Sequence, residues 1–564
     1  MVRPPELLYA VDESPPPAVL VISAIQHIAV IAITLIYPLI IAREAGLTGP
    51  EFLDTVSLSM MAIGLATIFL CLRSRFVGCG YLCPASFTAI FLGPSQYALQ
   101  LGGLGLIFGM TIVAGFVQVA IAPVLNRLRA LLPPEIAGLV IAIVGLSLAS
   151  VGLRYGLGIT EGNRIQPVFP VIAGLSLTTM VVLNVWTRGY AKMFCALIGV
   201  IVGYAASAAL GVLDLSAMTP VQGLSLWRLP DFGHIEYKFE ALALAPFVVA
   251  AIGSTLRTMG DVTTVQRLND KDWVRPDFRS ISGGVTGNGL GSIVCGLLGC
   301  LGSNTYSSSI GLSTATGVTS RSVGYAIGVG FILLAFMPAA AVVFAAMPPP
   351  VMGAALFFTS AFVFVTGLQM ITARMLDARK TLVIGFSFAM AVMADIYRVV
   401  FMTAPVVLQP ILANPLVLGT ICAIALNLIM RLGVSQRVSM EIDTGQDSHG
   451  IVEQFLTEQG ARWAARRDVL NRAIFGVVQL LEVVDNQSGK IEIEASFDEF
   501  NLDLRVRYPG VMLVIPEKRP TPREIVASDE GERLLACYLL RRSADRISCR
   551  AVGDRAEVHL HYDH

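Results

Sequence analysis

The sequence predicts an all-α polytopic membrane protein followed by a small α+β domain, and three observations carry that expectation. About fourteen apolar stretches run from about Ala18 to Met430, and about 20 apolar residues are what a helix needs to span a bilayer with every backbone group paired internally. Hydrophobic residues make up 55% of the chain and charged residues only 14%, against roughly 25% charged in soluble domains. The last roughly 130 residues return to ordinary soluble composition.

Residues 1–16 (MVRPPELLYAVDESPP) are polar and proline-rich without a cleavage pattern, which reads as a cytoplasmic arm and not a signal peptide. The membrane region follows over residues 17–432. With the N-terminus inside, the inward connections carry Arg73, Arg75, Arg127, Arg129, Arg188, Lys192, Arg267, Lys271, Arg275, Arg279, Arg321, Arg374, Arg379, Lys380 and Arg431, against about six cations outside. An even number of spans returns the tail to the same side, so both termini are expected in the cytoplasm of a bacterial inner membrane. The net charge of zero gives no reason to expect a nucleic-acid partner. Nine cysteines lie scattered without CxxC spacing or a histidine cluster, so no metal, cofactor or disulfide framework is expected.

Two segments are too short and interrupted to be plain spans. In GCGYLCPASFTAIFLGPS, Pro84 and Pro94 bracket a helix near 84–94; in LGSNTYSSSIGLSTATG a second lies near 306–317. If the chain is two sevens, they are the third segment and the tenth. Paired broken segments point to a transporter of inverted repeats, with substrate held between half-helix N-termini whose free N–H groups and dipoles favour electron-rich atoms. A long loop with a re-entrant turn is the bland alternative.

At these residues a resemblance enters. Gln26-His27, Pro133-Pro134-Glu135-x-x-Gly138 with Gly145-Leu146-Ser147-Leu148, Gly260-Asp261, Gly287-Asn288-Gly289-Leu290-Gly291 and Asn304-Thr305-Tyr306-x-x-x-Ile310-Gly311-x-x-x-x-Thr316-Gly317 resemble the nucleobase–ascorbate (xanthine/uracil permease) family over about residues 17–432. The resemblance implies 14 segments in two inverted seven-segment repeats, a core of segments one to four and eight to eleven, and a gate of five to seven and twelve to fourteen. It also implies an elevator-like motion, a homodimer and transport of a small-molecule substrate, with no enzymatic activity.

The chain departs from that pattern twice. Where the family usually offers a glutamate four residues before the aspartate position, this chain has Arg257; where it offers glutamate or glutamine followed by asparagine, this chain has Ser308 and Ser309. A carboxylate accepts from ring N–H groups, whereas guanidinium only donates, as a planar fork. The expected substrate is therefore anionic, or a purine read by its acceptor edge. A structural reading stands beside this one, because Asp261 lies at the i+4 spacing that lets an intramembrane arginine pair on one helix face.

The resemblance also implies that Ser86 and Phe87 bring backbone N–H and a phenyl ring to the substrate, with Thr34 two turns after His27 on the same side. His27, Asp261, Gln26 and Asn304 are the candidates for coupling to a cation, a proton first, or for supporting the site from behind; a lone histidine on an apolar helix is as often a packing residue. Asp395 is read as a structural carboxylate of the gate.

From residue 438 to 564 the pattern changes. A helix is expected at Gly460 to Val484, strands at Lys490 to Ser496, Leu502 to Tyr508 and Val511 to Ile515, a helix at about Gly531 to Ser543, and strands at Arg546 to Ala551 and Ala556 to His561. The closing run resembles ATPase-like domains of the histidine-kinase and anti-sigma-factor type. Arg472 and Gly476 stand where those domains carry magnesium and ATP ligands, which implies a degenerate dimerisation or regulatory module. The leading function is a proton-coupled transporter of a xanthine, urate or uracil-class substrate. The alternative is an anion transporter of the related sulfate-permease architecture, binding a small anion at Arg257.

Overall fold

The computed structural model describes the chain except residues 1–2, 126–132, 160–164, 214–226, 234, 274–275, 373–375, 377, 406–407, 431–435, 444–447, 464, 466, 485–489, 498–500, 511, 514, 517–519, 521–528, 553–554 and 564. The cations Arg127, Arg129, Arg275, Arg374 and Arg431 therefore lie outside the described residues. The chain divides into two compact units, Met1–Leu376 with Lys380–Ala425, and Asp377–Arg379 with Leu426–His564.

The first unit is helical. Among the described residues, seven helices are long and apolar enough to cross a membrane, eight if the pair Arg321–Ala335 and Pro338–Ala345, bent by 86°, counts as one span. Helix Gly49–Cys71 packs on Arg321–Ala335, and Leu104–Ile121 packs on Phe278–Leu297. These approaches are close because glycines face glycines: a Cβ on Gly64 would lie 2.6 Å from the Gly328 carbonyl, and one on Gly115 would lie 2.6 Å from that of Gly289. Apolar side chains gain little from one another in lipid, so close backbone packing is what holds such helices together. Helix Pro134–Leu157 packs on Pro349–Ile371.

The first interrupted segment is shifted from its expected position. Residues Ala85–Phe87 are a strand, β1, and the helix proper is Leu92–Gly102, entered through a turn at Ala89–Phe91 that the Thr88 hydroxyl caps by accepting from the Ile90 amide. Pro94 does not end this helix; it sits in its first turn, where no amide donor is needed. The second interrupted segment is a strand, β2 (Ser303–Thr305), followed by helix Ser307–Thr316.

Among the described residues, the second unit is built on a five-stranded antiparallel sheet with strands β3 (Gln436–Asp443), β4 (Lys490–Phe497), β5 (Asn501–Pro509), β6 (Arg546–Val552) and β7 (Arg555–Asp563), in the order β3-β4-β5-β7-β6. Burial alternates along β4 and β5, so one face packs on helices while the other carries charges such as Arg507 opposite Glu492. The helix expected at 460–484 is two, Ser448–Arg462 and Arg467–Val484. Trp463 lies at the break and stacks on Phe497, ring centroids 5.6 Å apart, a tertiary contact with no local breaker residue behind it. No strand forms at Met512–Leu513 or Ile515, since β5 pairs with β7 instead of turning back; Val511 and Val514 lie outside the described residues. Strand β3 starts two residues before the expected boundary at 438 and has no counterpart among the expected strands.

Candidate functional site

The two interrupted segments meet. Strands β1 and β2 pair antiparallel, Ser86 opposite Asn304, and the Tyr306 amide donates to the Pro84 carbonyl at 3.1 Å. All six strand residues are buried, so their backbone groups need one another. Two helix N-termini thus leave one two-stranded ribbon, each with free amides.

A cavity of about 460 Å³, counting the space at its open mouth, lies against this ribbon. The first span contributes Thr34 and Tyr37, the ribbon and its flanks Ser86, Phe87, Thr88 and Tyr306, helix Leu244–Asn269 contributes Arg257, and helix Pro349–Ile371 contributes Thr359. The first helix yields to a short 3-10 turn at Ile33–Leu35, with the Thr34 hydroxyl donating to the Ile31 carbonyl at 2.7 Å.

Arg257 Nε lies 3.9 Å from Asp261 Oδ2, beyond hydrogen-bond range. Asp261 instead accepts from the hydroxyls of Thr305 at 2.6 Å and Ser307 at 2.7 Å. The carboxylate is thereby held by the turn that starts helix Ser307–Thr316, while the guanidinium lines the cavity. Behind the ribbon, Asn304 Oδ1 accepts from the Thr258 hydroxyl at 2.8 Å and from the Thr305 amide at 2.7 Å. His27 Nδ1 and Ser309 Oγ lie 2.5 Å apart and join the first helix to helix Ser307–Thr316.

Of the residues expected from sequence, Arg257, Phe87, Ser86 and Thr34 line the cavity together. Ser308 is exposed, Ser309 is buried against His27, and Gln26 is half-buried beside it. His27, Asp261 and Asn304 stand behind the lining, and Asp395 is exposed. Tyr37, Tyr306, Thr88 and Thr359 were missed. Tyr306 already stood inside the tenth-segment motif, and Tyr37 follows Thr34 at the i+3 spacing of one helix face. Thr359 is one of three hydroxyl residues in an apolar span, with Ser360 and Thr366, and nothing in the sequence singles it out. Among the described residues, no three His, Cys, Asp or Glu side chains are grouped to hold a metal ion.

The Xan_ur_permease family model, described as Permease family, matches residues 18–399. The Xanthine permease XanP of Escherichia coli (strain K12) is 27% identical over 439 residues, covering 75% of this chain and 94% of that protein. The Uric acid transporter UacT of the same strain is 27% identical over 432 residues, covering 74% and 87%. Among solved structures, the murine Solute Carrier 26 family member A9 anion transporter in the inward-facing state aligns with a TM-score of 0.51 at 12% identity, covering 77% of this chain and 72% of that one, a likeness of fold alone. With residues 18–399 matched, well over half its length, the chain belongs to the permease family.

Proposed function

We propose that this chain is a secondary active transporter of a nucleobase-like substrate of the xanthine, urate or uracil class, driven by a proton. The observation that carries the reading is the family match over the whole region that builds the ribbon and cavity, and similar proteins bear the names xanthine permease and uric acid transporter. In this reading a planar base lies on the Phe87 ring. The Ser86 and Thr34 hydroxyls meet its edge, and the Arg257 fork donates to its carbonyl or anionic side. Ser308 and Ser309 act from the first turn of helix Ser307–Thr316. Asp261, with His27, Gln26 and Asn304 behind the site, serves the coupling proton.

Segments one to fourteen form two inverted repeats in this reading, and the packing supports it. Exchanging each segment with the one seven places on turns the Gly49–Cys71 contact with Arg321–Ala335 into that of Phe278–Leu297 with Leu104–Ile121. Both interfaces carry reciprocal glycines, Gly64 with Gly328 and Gly115 with Gly289. The same exchange maps β1 onto β2 and Pro134–Leu157 onto Pro349–Ile371. Core and gate move as an elevator in a homodimer, with both termini in the cytoplasm. The tail, residues 438–564, is a degenerate ATPase-like module. Arg472 pairs with Asp545 at 3.4 Å, and a Cβ on Gly476 would meet Tyr562 Oη at 2.3 Å and Ser543 Oγ at 2.6 Å, which supports a module without a longer side chain at that position.

A second reading, a small-anion transporter, draws on the cavity-lining Arg257 in place of a carboxylate. Purified protein in liposomes with an acidic exterior decides between them. Uptake of labelled xanthine, urate or uracil that collapses with the pH gradient is the expected result; uptake of sulfate or bicarbonate without any base would replace the first reading with the second.

A further inference from the structure

We propose that the N-terminal arm, residues 3–13, is a positioning element of the substrate site, acting through helix Ser307–Thr316. The proposal rests on the reading of the cavity given above for its effect on substrate, while the structural coupling stands by itself.

The arm is a folded strap. Arg3 donates to the Glu13 carboxylate at 2.7 Å and to the carbonyls of Leu7 and Leu8, closing residues 3–13 on themselves. Its middle runs beside residues 317–321. The Leu8 and Tyr9 amides donate to the Gly317 carbonyl, and the Tyr9 and Val11 carbonyls accept from the Thr319 and Arg321 amides. Gly317 ends the helix at φ +67, and a Cβ there would lie 3.0 Å from the Glu6 carbonyl, so only glycine combines that turn with this approach.

Side chains fasten the strap at both flanks. Val11 belongs to the same buried apolar cluster as Cys83, which precedes Pro84 and β1, and Ile310 of the helix. Asp12 pairs with Arg73 at 3.1 Å and with Arg321, so one carboxylate ties the end of helix Gly49–Cys71 to the start of Arg321–Ala335. Helix Ser307–Thr316 has only ten residues, and a helix that short does not hold its orientation alone. Its N-terminal turn carries Tyr306 against the cavity, Ser307 against Asp261 and Ser309 against His27. Fixing its C-terminal end therefore fixes where these three groups stand.

The test compares full-length protein with Asp12→Asn, Asp12→Glu and a deletion of residues 2–13. Backbone hydrogen exchange over residues 305–317 is measured beside exchange over the remote helix 134–157, together with xanthine affinity and melting temperature. The proposal expects faster exchange over 305–317 with 134–157 unchanged in Asp12→Asn and more so in the deletion, about tenfold weaker xanthine binding, and recovery in Asp12→Glu. Should the deletion fail to fold, the Asp12→Asn comparison alone decides. Unchanged exchange over 305–317, or an equal rise over 134–157, would overturn it. Wild-type protein that binds no xanthine would refute the substrate reading and leave the exchange result to judge the arm.

Discussion

Replacing Arg257 by alanine separates a substrate anchor from a structural ion pair, and the geometry sets the magnitudes. At 3.9 Å between Arg257 and Asp261, the gross Coulomb attraction is about 4 kcal/mol at an effective dielectric of about 20, before the opposing desolvation of both ions. Asp261 does not depend on it for hydrogen bonds, because Thr305 and Ser307 supply two at 2.6 and 2.7 Å. Arg257→Ala is therefore expected to leave the melting temperature within a few degrees of wild type. Substrate binding should weaken by about 1.5–3 kcal/mol, the range for a hydrogen bond to a charged group, or roughly tenfold to a hundredfold. Arg257→Lys should recover little, since the planar fork is lost. The assay is calorimetric titration of xanthine or urate on wild type, Arg257→Ala, Asp261→Asn and the double variant, with melting temperatures on the same samples. A stable Arg257→Ala protein with unchanged affinity refutes the anchor. Marked destabilisation that Asp261→Asn repairs, together with repaired binding, assigns Arg257 to Asp261 alone.

Gly64→Ala should destabilise by about 1–3 kcal/mol, because its Cβ would lie 2.6 Å from the Gly328 carbonyl, whereas Gly311→Ala, with nothing within 4 Å, should be neutral; equal melting temperatures would contradict the close-packing argument. Ser309→Ala removes the partner of His27 and should weaken substrate binding by about 1 kcal/mol, checked by the same titration; no change would leave that contact without a role in binding. In the tail, burial pushes the Glu557 carboxyl up, but Arg507 and Arg550 outweigh it and hold it below its usual range. Asp503 behaves alike with His561 and His559. Both carboxylates then stabilise the folded tail above about pH 4 and lose that contribution as pH falls further, so Trp463 fluorescence should report acid unfolding with a slope that Glu557→Gln reduces. The full-length protein should show no thermal shift with millimolar ATP, given Arg472 and Gly476 where the resemblance expects magnesium and nucleotide ligands; a saturable shift at micromolar ATP would restore the nucleotide site.

By itself the sequence determined the membrane class and the presence of a separate tail, because length and apolarity of a span are local properties that lipid enforces residue by residue. It also marked four of the residues that line the candidate cavity, Arg257, Phe87, Ser86 and Thr34. Arg257 and Asp261 stand out as charges in an apolar helix, and Ser86, Phe87 and Thr34 lie in segments marked by their interruptions and motifs. The four sheet strands that alternate in the tail were legible for a similar reason, since a half-buried strand writes its period of two into the chain. Strand β3 and the break at Trp463 were not, because a partner strand and a stacking ring 34 residues away in sequence leave no local trace. Tertiary structure alone decided that Ala85–Phe87 is extended. Its hydrogen-bonding partner is Ser303–Thr305, and neither three-residue strand is stable without the other. The same long-range pairing brings Tyr37, Arg257, Tyr306 and Thr359 around one cavity from four separate segments. It also turns residues 3–13, a polar arm by composition, into a strap on helix Ser307–Thr316, since backbone groups choose their partners by position in space and not by residue type.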